Sequence, residues 1–294
     1  MIEELLIGST LLLGGYSFYK YENKHIEKAL YTIESEKIPK DFDDFKIVQI
    51  SDLHNATFGD SNYRLLEVID DLEPDIVVIT GDLVDGENNN YKIALDLVNT
   101  LCDKYDVYYI VGNHEQKALL KRYKDKYKEY FNKLNKTKII NLNNECIELK
   151  RKNSSINLYG IVIPFECYKY FFNNKNKEKI DIDEIYLKDK LGSINKNKYN
   201  ILLSHTPFYF EEYVKWGVDL VLSGHVHGGI IRIPFLGGLL SPNREFFPKY
   251  DLGKYDDNES SMILTKGLGG SKIIPRFNCK PEVVRVELKS KKTL

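Results

Sequence analysis

Five times in this chain a short apolar run stops at a side chain that can bind a metal ion. FKIVQI runs into SDLHN, which offers Asp52 and His54. DIVVIT runs into GDLVD, with Asp82. VYYIV runs into GNHE, with Asn113 and His114. NILLS is followed by His205, and VDLVLS by GHVHGG, with His225 and His227. Apolar runs of this length, bounded by Gly and polar residues, read as buried strands. Between the first three, residues 62–72 place Leu65, Leu66, Ile69 and Leu72 on one helical side, and Tyr91 to Cys102 is helical again. Strand alternating with helix predicts an α/β fold. In open α/β sheets, ligands bind beyond the carboxyl ends of the strands. If the five strands are parallel neighbours, side chains about 175 positions apart meet at one rim. Each cluster alone has an ordinary explanation: Asp82 as a helix cap, Asn113 as a turn former, His205 as a packed histidine. Their joint placement does not.

The donor set has a definite chemistry. Imidazoles with carboxylates suit zinc, iron or manganese better than magnesium or calcium. Asp52, His54, Asp82, Asn113, His205, His225 and His227 are too many for one tetrahedral ion and suit two. Paired divalent ions about 3.5–4 Å apart repel by about 19 kcal/mol even at an effective dielectric of about 20. An anion must lie between them, and Asp82 is the expected bridge, joined by a hydroxide. With Asp52 added, the site keeps a small positive charge that favours a phosphate anion. Gly81, Gly112 and Gly224 are expected to let the backbone turn at the strand ends. His225 and His227, two apart on an extended segment, would point to one face. Val226 would then point away, and its identity should matter little. His114 follows Asn113, so it should face the substrate and stabilise or protonate the leaving oxygen. Asn55 and Glu115 read equally as turn polarity or as groups orienting the ligands.

Composition narrows the classes. The net charge is −1, so no global field draws the chain to nucleic acid. Cys102, Cys146, Cys167 and Cys279 form no Cys-x-x-Cys pair and read as scattered thiols. Gln116 to Lys136 reads as one basic helix, a solvated lysine face over an amphipathic stripe. Residues 29–39 read as an edge strand. KIINL, ECIELK, INLYGIVI, GIIRIPF, SMILTKG and EVVRVEL read as further strands, and 165–179 as a surface insertion. Leu5 to Tyr19 carries no charge. It falls short of the roughly 20 residues that cross a bilayer, but Ile2 and Tyr21 bring it near that length. Acidic residues precede it and no Ala-x-Ala cleavage site follows. Residues 1–22 are therefore expected to be an uncleaved membrane anchor, ahead of one catalytic domain over 23–294. Lys20, Lys24 and Lys28 are interspersed with Glu22 and Glu27, so the side of the membrane stays open.

The series Asp52-x-His54, Gly81-Asp82, Gly112-Asn113-His114-Glu115, His205 and Gly224-His225-x-His227 resembles the calcineurin-like metallophosphoesterases over residues 46–229. The resemblance implies an α/β (α+β) fold, a four-layer α/β/β/α sandwich of two mixed sheets, here with an N-terminal hydrophobic helix. It implies one metal held by Asp52, His54, Asp82 and His227, and another held by Asp82, Asn113, His205 and His225. His114 matches the family's catalytic histidine. The cofactors implied are two divalent ions, Mn, Fe or Zn. The C-terminal stretches GGIIRIPFLGGLLSPNREFFPKYDLGKY and TKGLGGSKIIPRFNCKPEVVRVEL look like a membrane-linked branch that includes UDP-2,3-diacylglucosamine pyrophosphatase-like enzymes. Members of that branch commonly begin with a hydrophobic anchor, and the branch often works outside the cytoplasm.

The expected function is hydrolysis of a phosphodiester or pyrophosphate bond by metal-activated hydroxide, on a lipid-linked or membrane-proximal substrate. Ile233, Pro234, Phe235, Leu236, Leu239, Leu240, Phe246 and Phe247, with Tyr168, Tyr170, Phe171 and Phe172 of the insertion, would form an apolar lip beside the metals. Phe235 and Leu236 are the candidate substrate-binding residues. A nuclease of the same fold and a non-enzymatic membrane binding module are the alternatives. The first lacks a basic groove in the overall charge, and the second would be expected to have lost ligands.

Overall fold

The computed structural model describes residues 21–87, 90–121, 123–168, 180–241, 245–270 and 276–291, with isolated positions before residue 21. Two six-stranded mixed sheets carry the fold. The first has the spatial order β1 (Glu27–Ser35), β14 (Glu282–Ser290), β2 (Phe45–Ile50), β3 (Ile76–Ile79), β4 (Val107–Tyr109), β5 (Ile140–Asn141). β2 to β5 are parallel, with Ile47 opposite Ile76, while β14 is antiparallel to β2. The second has the order β12 (Gly253–Asp257), β13 (Ser260–Leu264), β9 (Leu220–Ser223), β8 (Asn200–Ser204), β7 (Ser154–Ile161), β6 (Glu145–Arg151). Its four central strands are parallel. A small hairpin, β10 (Arg232–Ile233) and β11 (Gly237–Gly238), stands apart.

Strand periodicity sets the layers. Side chains alternate across a strand, so a strand buried on both faces is apolar throughout. In β2, Ile47 faces the space between the sheets, and Val48 and Ile50 face the helices. In β9, Leu220 and Leu222 face between the sheets and Val221 faces outward. The outer face of the first sheet is covered by α1 (Tyr63–Asp70), α2 (Lys92–Cys102), α3 (Asn113–Leu120) and α4 (Lys124–Leu134). The outer face of the second is covered by α5 (Glu184–Leu191) and α6 (Phe210–Trp216), which plant Leu187, Phe210, Tyr213 and Trp216. The result is the expected α/β/β/α order of layers.

Three expectations change. The five ligand-bearing strands are not neighbours in one sheet: β2, β3 and β4 lie in the first, β8 and β9 in the second. The basic helix over 116–136 is two helices, because Lys121 leaves α3 in an extended conformation (φ −108°, ψ −173°). α3 must start at a strand end, whereas α4 must bury Tyr127, Tyr130 and Leu134 against the core, and no single axis serves both. The lysines of α4 stay exposed and pair with their own helix, Lys126 and Lys133 with Glu129 and Lys128 with Asp125. GIIRIPF contributes only Arg232–Ile233 to a strand, while the unforeseen β12, GKYDD, pairs antiparallel with β13. The expected N-terminal anchor falls almost wholly outside the described residues, as do Tyr170, Phe171 and Phe172. Among the described residues no helix is long and apolar enough to cross a membrane. All four cysteines are free.

Candidate metal centre

The two sheets bring their parallel strand ends to the same edge, and three polar links join them there. Gln49 of β2 donates from Nε2 to the Ser223 carbonyl at the end of β9 (2.9 Å) and to Thr80 Oγ1 (3.0 Å). His205, after β8, reaches the Thr80 carbonyl after β3 through Nδ1 (2.7 Å). The main-chain N–H of His225, after β9, donates to both Asp52 carboxylate oxygens after β2 (3.0 and 3.2 Å). Four strand ends from two sheets are thus tied together at one place.

Five of the seven candidate ligands have left-handed backbone: Asp52 (φ 54°), His54 (47°), Asp82 (55°), His225 (74°) and His227 (54°). Such φ values are sparsely populated for residues with a Cβ and cost of the order of 1–3 kcal/mol each. They also correct the His-x-His expectation. Val226 between the two histidines is helical (φ −84°, ψ −14°), so the segment is coiled rather than extended. Val226 is fully buried in the core cluster on the outer face of the second sheet, so its identity matters to the core. Gly81 (φ 95°) does need glycine's freedom. Gly112 and Gly224 instead provide room. A Cβ on Gly112 would stand 2.2 Å from Asp82 Oδ1, and one on Gly224 would stand 2.1 Å from Ser51 Oγ.

The donor atoms converge. His54 Nε2 and His227 Nε2 lie 3.3 Å apart. Asp52 Oδ1 is 3.6 Å from His227 Nε2, and Asp82 Oδ2 is 3.7 Å from His54 Nε2. His205 Nε2 is 3.1 Å from Asp82 Oδ2 and 2.9 Å from Asn113 Oδ1. His225 Nε2 is buried and has no hydrogen-bond partner. Ligand atoms fall within 4.8 Å of one another in three overlapping sets: Asp52 with His54 and His227, His54 with Asp82 and His114, and Asp82 with His205 and His225. Asp82 and His54 each belong to two of these sets, and Asp82 is the carboxylate of the two, as a bridging group would be.

This arrangement fits cations. The His205 ring gives its Nδ1 hydrogen to the Thr80 carbonyl, so its neutral form aims an Nε2 lone pair at the Asp82 and Asn113 oxygens. Lone pairs facing lone pairs across a buried cavity repel, and a bound cation removes the repulsion. Without one, protons must serve. Burial opposes a charged His205, but the neighbouring Asp82 and Asp52 carboxylates outweigh it and raise its pKa to about 9. Burial would likewise raise Asp82, yet His205, His114 and His54 hold it well below the usual carboxylate range. Burial depresses His54, His225 and His227, which favours the neutral form that ligates.

His114 also faces the centre. Its ring centroid is 4.5 Å from that of His54, its Nδ1 is 2.7 Å from the Asp85 carbonyl, and its main-chain N–H donates to Asp82 Oδ1 (2.8 Å). Glu115, completely buried, clasps two strand ends. It accepts from the N–H groups of Asp82 and Gly112 (both 2.9 Å) and of Val84 (3.2 Å). Burial and the Asp82 charge push its carboxyl upward.

Sequence reasoning missed a sixth strand end. β13 leads into Thr265-Lys266-Gly267-Leu268-Gly269, whose Gly269 carbonyl lies 3.3 Å from His227 Nδ1. The buried Arg276 guanidinium holds that loop through the carbonyls of Lys266 (2.7 Å), Gly267 (3.2 Å) and Gly269 (2.9 Å from Nε). The glycine-dense GLGG after an apolar run was the available signal.

Comparison with known proteins decides the family. The family model described as calcineurin-like phosphoesterase matches residues 45–229. The chain belongs to the calcineurin-like phosphoesterase family. It is a metal-dependent phosphoesterase, and divalent metals are the family's cofactors. An uncharacterized metallophosphoesterase of Aquifex aeolicus is 30% identical over 96% of this chain and 98% of its own length. The metallophosphoesterase YkuE of Bacillus subtilis is 28% identical over 99% of this chain and 95% of its own. A transmembrane protein with a metallophosphoesterase domain, from Danio rerio, is 27% identical over 87% of this chain and 56% of its own. The crystal structure of a phosphopantetheinyl hydrolase from Mycobacterium tuberculosis aligns at TM-score 0.45 and 12% identity, over 77% of this chain and 91% of that one.

Proposed function

We propose that this phosphoesterase hydrolyses a phosphodiester or pyrophosphate bond in a lipid-linked or membrane-proximal substrate, with two divalent ions of Mn, Fe or Zn held by Asp52, His54, Asp82, Asn113, His205, His225 and His227. The observation that carries this reading is the convergence of imidazole nitrogens on carboxylate and amide oxygens in a buried cavity, with His54 and His227 Nε2 only 3.3 Å apart. Bound ions would supply an activated water and an electrophilic pull on the phosphoryl oxygens. The chain's own residues prepare the site. The Thr80 carbonyl fixes the tautomer and aim of His205. Asp52 ties the loop of His225 to the first sheet. The Asp85 carbonyl takes the Nδ1 hydrogen of His114, so it is the Nε2 proton of the doubly protonated ring that would pass to the leaving oxygen, leaving the ring neutral.

Support for a lipid-linked substrate is the apolar rim after His227, where Phe235, Leu236, Phe246 and Phe247 are exposed. Tyr168 is not part of that rim: it is buried, with its ring edge-on to His225 at 5.0 Å. Residues 1–22 are proposed as an anchor ahead of a catalytic domain over 23–294, and Tyr21 at its end is exposed. The features fit the membrane-linked branch that includes UDP-2,3-diacylglucosamine pyrophosphatase-like enzymes.

The test is a substrate panel on metal-defined protein: a nucleotide-sugar lipid, an aryl phosphodiester and single-stranded DNA. The reading expects metal-dependent hydrolysis with the lipid substrate preferred. Preference for DNA with strong salt dependence would establish the nuclease instead. A protein that takes up no metal and hydrolyses none of them would favour a binding module instead.

A further inference from the structure

We propose that the hairpin β10–β11 and the segments laced to it form a platform that lies on the surface of a lipid bilayer and holds the mouth of the metal centre against it. The inference builds on the membrane-proximal reading and adds a second, independent contact besides the N-terminal segment.

The platform is one continuous layer. Arg232 donates its main-chain N–H to the Phe277 carbonyl (3.0 Å), and Phe277 returns one to Ile230 (3.1 Å). Leu239 donates to the Ile231 carbonyl (2.8 Å), and Phe247 to the Leu239 carbonyl (3.2 Å). On the inner side, Asp251 takes the Arg232 guanidinium and the Gly238 N–H, both at 2.9 Å. Arg232 and the Gly238 N–H thus have a polar partner within the layer.

Those side chains are unusually exposed. Phe235 is 107% exposed, Phe246 71%, Leu236 63% and Phe277 53%. Large apolar side chains exposed on segments that are hydrogen-bonded to one another mark an interaction site. The backbone beneath it is strained as well. Ile230 (φ 59°), Phe235 (φ 69°) and Phe247 (φ 51°) are left-handed, a genuine outlier for bulky residues. At Phe235 and Phe247 an exposed aromatic stands where ordinary turns place Gly or Asn.

Two features of the chain select a bilayer as the occupant. Leu5 to Tyr19 in the sequence is an uncharged apolar stretch. The residues that follow it dock on the platform itself: Glu22 accepts the main-chain N–H of Asn278, next to Phe277 (2.6 Å). Glu22, three residues beyond that stretch, is therefore held beside Phe277. The platform is also tied to the site, because β10 begins five residues after His227 and the Ile230 N–H donates to the His227 carbonyl (3.0 Å).

The test uses the full chain in phosphatidylcholine–phosphatidylglycerol vesicles, with no metal or substrate, so it stands apart from the phosphoesterase reading. The chain has one tryptophan, Trp216, and it is buried. Phe235→Trp and Phe246→Trp each add a reporter at an exposed tip. Both should show a blue shift on vesicle binding and loss of the added emission to lipids brominated on the shallow acyl chain, as insertion by about 5–10 Å requires. Ile185→Trp, on the exposed side of α5, should keep water-like, unquenched emission. Vesicle-bound protein with unquenched tryptophan at 235 and 246 would overturn the platform. Equal quenching at 185 would overturn it too, as would a concentration-dependent blue shift without vesicles, which would assign the face to a second copy of the chain.

Discussion

Asp82 and His114 stand side by side, yet substitution should separate them. Asp82 shares two of the three ligand clusters and accepts the His114 main-chain N–H. Asp82→Asn should lower metal content and turnover together, read by elemental analysis and kcat. His114→Asn should retain the metal and lose about 10²–10⁴-fold in kcat, the usual worth of a positioned acid. Normal turnover in that variant would remove His114 from the reaction. Val226 makes a contrasting case. Its side chain packs in the core behind the site, so Val226→Ala should cost roughly 2 kcal/mol of stability and leave metal content unchanged. At this scale the donor types and order were legible in the sequence, because each followed an apolar run. The left-handed backbone at Asp52, His54, Asp82, His225 and His227 was not. Those conformations are imposed by neighbours from other strands, and no local propensity of Asp or His announces them.

The strand ends work as a unit because polar clasps fix them. Glu115 gathers the N–H groups of Asp82, Val84 and Gly112, and Gln49 joins the two sheets at their common edge. Gln49→Ala leaves Thr80 Oγ1 and the Ser223 carbonyl without its amide, so it should destabilise the fold by about 1–3 kcal/mol and weaken metal binding. Thermal melts with and without metal would measure both effects. The buried strands were readable from apolar runs, and β1 from its alternation and its place at a sheet edge. β12 was not, because GKYDD is an edge strand half open to solvent and carries little apolar signal. The break between α3 and α4 was also hidden. No Gly or Pro marks Lys121, and only the two destinations of the flanking segments require it.

Across the whole molecule, the assignment of strands to sheets lay beyond local pattern. The sequence makes β2, β3, β4, β8 and β9 look alike, and a single parallel sheet was the simplest reading of them. The long-range pairing of β14 with β2 and of β13 with β9 divides them. The shared edge also makes stability depend on pH when metal is absent. His205, raised to about 9, keeps its proton longer in the folded state than in the unfolded chain. Its contribution is complete below about 6.5 and disappears as pH climbs through about 9. His54, His225 and His227 are depressed, so their contribution is present above about 6.5 and lost as pH falls below it. Chelated protein should therefore be most stable near pH 6.5, and bound metal should move the maximum upward, as melting temperatures across the range would register.

The most direct measurement is anomalous diffraction from crystals grown with manganese. Two peaks are expected about 3.5–4 Å apart, with Asp82 between them, one beside His54 and His227 and the other beside Asn113, His205 and His225. A cavity that stays empty under saturating manganese, or one peak away from Asp82, would contradict the account.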